Sequence, residues 1–148
     1  MVDFSLTVKV KKLHEAAQIP SYTRHGDAAM DVRSVESYVI NPGDICLVKT
    51  GLAFEVPFGY EVQVRPRSGL ALKSRISIVN SPGTLDSNYR GELGIILINH
   101  GRDPFNVVVG DRIAQIAFKR IEHTLLEEVN QLSDSNRGEG GFGSSGIK

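Results

Sequence analysis

Three polar segments of the chain carry residue types that suit anion binding, water activation and base stacking. The first is Arg65-Pro66-Arg67-Ser68-Gly69, in which the proline and the glycine shape a turn. Arg67 supplies a planar double donor that matches phosphate oxygens. Ser68 supplies a hydroxyl and is the predicted N-cap of a short helix, whose free N–H groups attract anions. Caps of this kind are common, so the segment alone more often marks an ordinary capped helix beside a surface arginine.

The second segment is a long polar loop, residues 80–93, which leads into an apolar run. Asp86 and Tyr89 lie three residues apart at the mouth of a predicted hairpin. The carboxylate of Asp86 can hold and deprotonate a water molecule, and the ring of Tyr89 can pack on a sugar. The alternative is an Asx-type turn in which Asp86 bonds its own backbone.

The third segment, residues 137–146, holds five glycines in ten residues and cannot form a strand or a helix by itself. Phe142 can stack on a base, and Arg137, Ser144 and Ser145 can serve terminal phosphate oxygens. The segment matches neither a P-loop nor a dinucleotide-binding fingerprint. The change in composition predicts a β domain over residues 1–130 and a flexible arm over residues 131–148. A floppy C-terminus without function is the alternative.

Metal ligation by histidine or cysteine is not predicted, because the four histidines lack metal spacing and Cys46 is the only cysteine. Asp31 lies in a small apolar strand, where a charge needs a partner. One interpretation is a structural ion pair with Arg112 or another arginine. The other is an outer-shell anchor for a hard cation such as Mg²⁺ that arrives with phosphates.

The elements that position these segments are predicted to be short strands. Period-2 alternation predicts strands over residues 4–10 and 60–65, and a further strand is expected over 112–118. Continuous apolar runs over residues 94–98 and 107–109 are typical of strands buried on both faces. Because no long helical periodicity occurs and turn signals are frequent, the fold class is all-β, a sandwich, jelly roll or barrel of about ten strands with one short helix.

Composition limits the possible partners and locations. The 148 residues include 17 basic and 17 acidic side chains, so the net charge is zero, and we expect no nucleic-acid partner. No apolar run is long enough for a membrane helix, and no secretory signal is visible. We therefore expect no membrane association and a cytoplasmic location, with an organelle matrix not excluded. Zero net charge leaves little repulsion against self-association.

Taken together, the polar segments resemble the five ordered motifs of the homotrimeric dUTP pyrophosphatases (dUTPases). The resemblance covers nearly the whole chain. The family often has Gly where Ala29 stands and Ile where Leu85 stands, which are mild departures. The matching stretches are residues 28–32, 66–71, 83–92, 110–116 and 137–146.

The resemblance implies the family's β-rich jelly roll, a homotrimer with active sites shared between subunits, and an arm that completes a neighbouring subunit's site. It implies hydrolysis of dUTP to dUMP and diphosphate with Mg²⁺ bound across the triphosphate. That reaction lowers dUTP and supplies dUMP for thymidylate synthesis.

The resemblance also implies roles around the phosphates. Asp86 would activate the water that attacks the α-phosphorus, and Asp31 would act on the metal through bound water. Arg67, Ser68 and Gly69 would bind along the triphosphate, and Gln115 would help to hold phosphate and the water. At the γ-phosphate the ligands would be Arg137, Ser144 and Ser145.

On the nucleoside side, the resemblance implies that Asn80 and the backbone near Gly94 read the uracil edge. Tyr89 would pack under the deoxyribose and leave no room for a 2′-hydroxyl, and Phe142 would stack on the base. Thr84, Leu85 and Gly143 belong to the same motifs and are expected to line the substrate.

Two alternatives share this architecture. A dCTP deaminase needs a glutamate acid/base near the pyrimidine C4, and no glutamate lies between Glu61 and Glu92 in the loops expected to line the base. A non-catalytic nucleotide binder would be expected to have lost Asp86 or the arm, and both are present.

Overall fold

The computed structural model describes residues 6–146, which form ten strands and one short helix. The predicted all-β class is confirmed, and the architecture is a jelly-roll-like sandwich. In chain order the elements are β1 (Lys9–Lys12), β2 (Met30–Arg33), β3 (Tyr38–Ile40), β4 (Ile45–Glu55), β5 (Tyr60–Arg65), α1 (Ser68–Ser74), β6 (Ile76–Ile78), β7 (Gly83–Leu85), β8 (Glu92–Asn99), β9 (Phe105–Val107) and β10 (Arg112–Arg120).

Two four-stranded sheets enclose the core. One sheet has the order β1-β4-β8-β6, the other has the order β2-β10-β5-β7, and β3 pairs with β9 in a small third sheet. All these pairs are antiparallel. Burial of branched side chains stabilises the sandwich. The largest fully buried apolar side chains are Ile40, Leu52, Ile76, Ile95, Leu97, Ile113 and Ile116.

The strands over residues 60–65 and 112–118 form as predicted, the latter extending to Arg120. The predicted position of the first strand, residues 4–10, was wrong, because the strand begins at Lys9; Phe4 and Ser5 lie outside the described residues. The prediction that residues 94–98 and 107–109 are buried on both faces was also wrong. In β8, buried residues alternate with half-buried ones, and Val108 and Val109 are about half exposed. One face of β8 packs on the core, and the other face is only half-buried.

The helix α1 begins one residue earlier than its predicted cap implies. Arg67, in extended conformation, occupies the N-cap position, and Ser68 is already helical. The carbonyl of Arg67 accepts the N–H of Ala71 at 3.0 Å, but no side chain caps the helix. The prediction that Ser68 caps the helix is therefore wrong. The start of α1 is fixed instead by the arginine side chain, which bonds β2 and β10.

After β10 the chain contains neither helix nor strand as far as residue 146. Leu125, Leu126 and Leu132 in this stretch are more than four-fifths exposed. Over the part of the chain that the structure describes, no helix is long and apolar enough to cross a membrane.

Candidate functional site

A pocket of about 190 Å³ lies where β7 and β8 meet the turn between them. Strand β7 pairs with β5 on one side, and β8 pairs with β4 and β6 in the other sheet. The pocket therefore opens where the two sheets approach each other. Six predicted substrate residues line it: Asn80, Thr84, Leu85, Asp86, Tyr89 and Gly94.

The turn between β7 and β8 is held by bonds within itself. The N–H of Tyr89 donates to the carbonyl of Asp86 at 3.1 Å, and the Tyr89 hydroxyl donates to the carbonyl of Glu92 at 3.1 Å. The guanidinium of Arg90 donates to the carbonyls of Ser87 and Tyr89 at 2.7 and 2.9 Å. These contacts fix the turn without using the side chain of Asp86.

The carboxylate of Asp86 is exposed at the edge of this pocket. Within residues 6–146 it accepts no hydrogen bond, so the Asx-type turn considered from the sequence does not form. A solvated carboxylate at a pocket edge is available to orient a water molecule.

A second group of predicted residues gathers at the junction of β2, β10 and α1. Oδ1 of Asp31 accepts a hydrogen bond from Nε of Arg67 at 3.0 Å, and Oδ2 lies 3.4 Å from a terminal guanidinium nitrogen of Arg112. Arg67 also donates to the carbonyl of Arg112 at 3.1 Å. The structural ion pair considered for Asp31 is therefore present, with both arginines.

Gln115 belongs to this second group. It lies opposite Asp31 on β2 and opposite Arg65 on β5, and its Nε2 donates to the carbonyl of Pro66 at 2.8 Å. Ser68 and Gly69 are exposed at the start of α1, beside Arg67. The group thus offers guanidinium, amide and hydroxyl donors over a small area, a set suited to phosphate oxygens.

The third group, the glycine-rich arm, contacts chiefly itself. Nε of Arg137 donates to the carbonyl of Gly140 at 2.7 Å, and the ring of Phe142 is fully exposed. Gly143, Ser144 and Ser145 are exposed as well. Neither the arm nor the Asp31–Arg67 group contributes to the lining of the 190 Å³ pocket, so the three groups of predicted residues do not share that pocket within one chain.

Glu92 is a pocket residue that the sequence reasoning missed. It lines the pocket, and its Oε1 accepts the N–H of Gly51 at 2.8 Å. The alternation along β8, which puts Glu92 on the same face as Gly94, could have indicated that Glu92 lines the pocket. Because Glu92 ends the polar loop, its place in the strand was not recognised.

A magnesium ion is compatible with these residues only in one arrangement. Within residues 6–146 no three His, Cys, Asp or Glu side chains cluster as a metal site. Both oxygens of Asp31 already contact arginines. The donor set therefore fits an ion that arrives with phosphate oxygens and reaches Asp31 through water.

Comparison with known proteins identifies the family. A sequence profile described as dUTPase matches residues 15–146. The chain belongs to the dUTPase family. It is therefore a hydrolase of phosphoanhydride bonds, and trimers are typical of the family.

Individual members of the dUTPase family resemble the chain over nearly its full length. A deoxyuridine 5′-triphosphate nucleotidohydrolase from Clostridioides difficile is 55% identical over 140 residues, 95% of this chain and 98% of that protein.

Two solved dUTPases share the fold. A point mutant of the Staphylococcus bacteriophage 80alpha enzyme, bound to dUpNHpp, superposes with a TM-score of 0.90 at 30% identity, covering 95% of this chain and 99% of that one. A point mutant from phage phi11 of S. aureus, described with a structural Mg(II) ion, has a TM-score of 0.80 at 26% identity, covering 84% and 97%.

Proposed function

We propose that the chain hydrolyses dUTP to dUMP and diphosphate, lowering dUTP and supplying dUMP for thymidylate synthesis. The observation that carries this proposal is the shared pocket of Asp86, Tyr89, Asn80 and Gly94. A water-activating carboxylate, a sugar platform and base-edge groups thereby occupy one small space. The family and the related nucleotidohydrolases support the same reaction.

In this proposal the pocket selects the nucleoside. Asn80 and the backbone near Gly94 read the uracil edge, and the neighbouring Thr84 and Leu85 complete the wall. Replacing uracil by cytosine exchanges donors for acceptors, and each polar group left unpaired costs about 1–3 kcal/mol. Tyr89 packs under the deoxyribose, and its tethered ring excludes a 2′-hydroxyl.

The second group of residues binds the triphosphate. Arg67 is already oriented by Asp31, and with Ser68 and Gly69 it lines the phosphate chain. Gln115 bonds phosphate and the attacking water. Asp31 would hold a Mg²⁺ ion that arrives with the triphosphate, through water, and the ion would supply neutralisation of phosphate charge.

Asp86 performs the chemical step. Its carboxylate takes a proton from water as the water oxygen forms a bond to the α-phosphorus. The bond between the α-phosphorus and the α–β bridging oxygen then breaks, and diphosphate leaves with that oxygen. Because phosphoryl transfer depends mainly on positioning and charge stabilisation, the guanidinium and amide donors supply most of the remaining effect.

A homotrimer explains why one chain leaves these groups apart. We infer that each site combines residues of more than one subunit. The arm of residues 131–148 extends from the β domain of residues 1–130 to a neighbour, where Arg137, Ser144 and Ser145 bind the γ-phosphate and Phe142, followed by Gly143, stacks on the base. The exposed leucines of residues 125–132 and the half-buried face of β8 support burial against another copy.

Replacing Asp86 by Asn tests the reaction directly. We expect Asp86→Asn to lower turnover of dUTP by about 10²–10⁴-fold, because the amide cannot accept the proton. Binding of dUpNHpp, measured by calorimetry, should be nearly unchanged. In ¹⁸O-water the wild-type chain should place the label in dUMP.

Three results would contradict the assignment. These are release of orthophosphate from dUTP, label in diphosphate, or a loss of dUpNHpp affinity that matches the loss of rate. Tight binding of dUTP without turnover by the wild-type chain would favour a non-catalytic binder.

Deamination of dCTP is the second candidate, because Glu92 lines the pocket where that reaction needs a glutamate. However, Oε1 of Glu92 bonds the backbone of β4. We expect no ammonia from dCTP, and its release would establish the second activity.

A further inference from the structure

Glu92 connects the pocket to an irregular part of β4. In the pairing of β4 with β8, Lys49 lies opposite Gly94 and Ala53 lies opposite Glu92. Three residues of β4 therefore face a single residue of β8, which makes a bulge of residues 50–52. Bulges interrupt the regular ladder of backbone hydrogen bonds and bend the strand that contains them.

Side chains replace the missing ladder bonds at this bulge. Oε1 of Glu92 accepts the N–H of Gly51 at 2.8 Å, and the Thr50 hydroxyl donates to the carbonyl of Leu93 at 2.6 Å. Thr50 is almost completely buried. Residues 92–94, which line the pocket, are thus attached to β4 by two side-chain bonds.

The segment of residues 13–17 packs against the bulge at Gly51 and limits its movement. Gly51 has a φ of +65°, and a Cβ there would lie 2.8 Å from Cβ of His14 and 3.0 Å from Cβ of Ala17. Its carbonyl accepts the N–H of Leu13 at 2.7 Å. Gly51 is therefore a fixed anchor, to which Glu92 attaches the beginning of β8.

The same residue also restrains the sugar platform. The backbone carbonyl of Glu92 accepts the hydroxyl of Tyr89, so the position of this residue determines where the tyrosine ring lies. A displacement of Glu92 would shift Tyr89 and the Gly94 backbone together.

We infer that Glu92 is a positioning residue that sets the pocket's selectivity for a 2′-deoxyuridine nucleotide by tying β8 and Tyr89 to the bulge at Gly51. This inference rests on the proposed function, because it takes Tyr89 and Gly94 as nucleoside contacts. Glu92 acts through its reach and its acceptor oxygen, and not through acid/base chemistry on the base.

Two conservative variants separate reach from charge. Glu92→Gln keeps the length and an acceptor oxygen but removes the charge. Glu92→Asp keeps the charge but is one methylene shorter, so its carboxylate falls short of the Gly51 N–H. Glu55→Gln is a matched control, because Glu55 lies on β4 and bonds the surface residue Lys9, outside the pocket lining.

The readout is selectivity, which a purely structural contact would not change. We would measure kcat and KM for dUTP, UTP and dCTP, together with calorimetric affinities for dUMP, UMP and dCMP. Glu92→Asp should lower the preference for dUTP over UTP and over dCTP by about tenfold, largely through KM. Glu92→Gln and Glu55→Gln should keep the wild-type preference within about threefold.

Unchanged selectivity in Glu92→Asp would overturn the inference, as would equal impairment in Glu92→Gln. Ammonia release from dCTP that disappears in Glu92→Gln would also overturn it, because it would make Glu92 an acid/base group. If Glu92→Asp does not fold, Thr50→Val, which removes the second tie, should lower the same preference.

Failure of the proposed reaction and failure of the inference about Glu92 give different results. A wild-type chain that does not turn over dUTP contradicts the proposed function, whereas the monophosphate affinities of the variants decide the role of Glu92.

Discussion

At the scale of single residues, the turn from Asp86 to Glu92 combines a solvent-exposed carboxylate, that of Asp86, with a hydrogen-bonded ring, that of Tyr89. Tyr89 folds back over Gly91 so that its hydroxyl reaches the carbonyl of Glu92. A side chain at position 91 would overlap that hydroxyl, and its Cβ would lie 3.0 Å from Cε2 of Tyr89. The absence of a side chain at Gly91 therefore lets the ring of Tyr89 lie against its own turn, while the carboxylate of Asp86 accepts no hydrogen bond within residues 6–146.

Gly91→Ala should displace the ring of Tyr89 with little cost to the fold, because the group that must move is the end of a side chain. We expect kcat/KM for dUTP to fall about tenfold and the preference over UTP to weaken, with Tm nearly unchanged. Tyr89→Phe, which keeps the ring but loses the hydroxyl tie, should show a smaller effect. Wild-type selectivity in Gly91→Ala would contradict the proposed contact with the sugar.

At the scale of elements, a surface network joins β3 to β4 near the bulge. The hydroxyl of Tyr38 donates to Glu36 at 2.8 Å, and Nζ of Lys49 lies 3.3 Å from the same carboxylate. The bond from Tyr38, followed by the bond from Lys49, lowers the pKa of Glu36 below its ordinary value of 4.5. Burial and the bond to Glu36 raise the pKa of Tyr38 above 10.0.

This network predicts a pH-dependent contribution to stability. Because the pKa of Glu36 is lowered on folding, its contribution is present above pH 4.5 and is lost as the pH falls through the lowered value. Glu36→Gln should therefore lower Tm at neutral pH, and the difference from wild type should shrink below pH 4.5. Melting curves at fixed protein concentration measure this difference.

The matched control is Glu127→Gln, in the exposed stretch after β10. It should leave the melting curves unchanged at every pH. A gap between wild type and Glu36→Gln that grows with acidity would refute the assignment.

At the scale of the whole molecule, the three residue groups do not share one pocket within a chain, and the proposed trimer would bring them together. The pocket, the Asp31–Arg67 group and the arm each carry part of the proposed chemistry, and the pocket lining excludes the other two. Exposed apolar side chains after β10 and on β4, such as Leu126 and Leu47, leave surface that another copy can cover.

Deleting residues 137–148 should leave a folded trimer with little activity, because the arm adds nothing to its own core. Light scattering, melting curves and dUTP hydrolysis measure the three properties. A deletion variant that unfolds, dissociates or keeps the full rate would refute this prediction.

Mixed trimers test whether the arm acts on a neighbour. Arm-deleted chains and Asp86→Asn chains should each be nearly inactive, and trimers refolded from both should recover activity. Mixtures that stay inactive would indicate that each arm serves its own chain.

Much of the fold and site could be predicted from local pattern. Alternation and turn signals gave the β class, the strand over residues 60–65 and the hairpin that holds Asp86. The resemblance also predicted a shared set of nucleoside contacts, and Asn80, Thr84 and Tyr89 of that set line one pocket, while their roles stay predictions. The predicted cap at Ser68 failed because long-range bonds of Arg67 to β2 and β10 place the start of α1.

The sequence by itself determined the class of fold, the family and the residue types available for chemistry, since these depend on neighbours along the chain. Only the tertiary structure decided that Asp31 pairs with both Arg67 and Arg112, that Glu92 lines the pocket, and that one face of β8 is only half-buried. Those relations depend on sheet order and register, which bring together residues that are far apart in sequence.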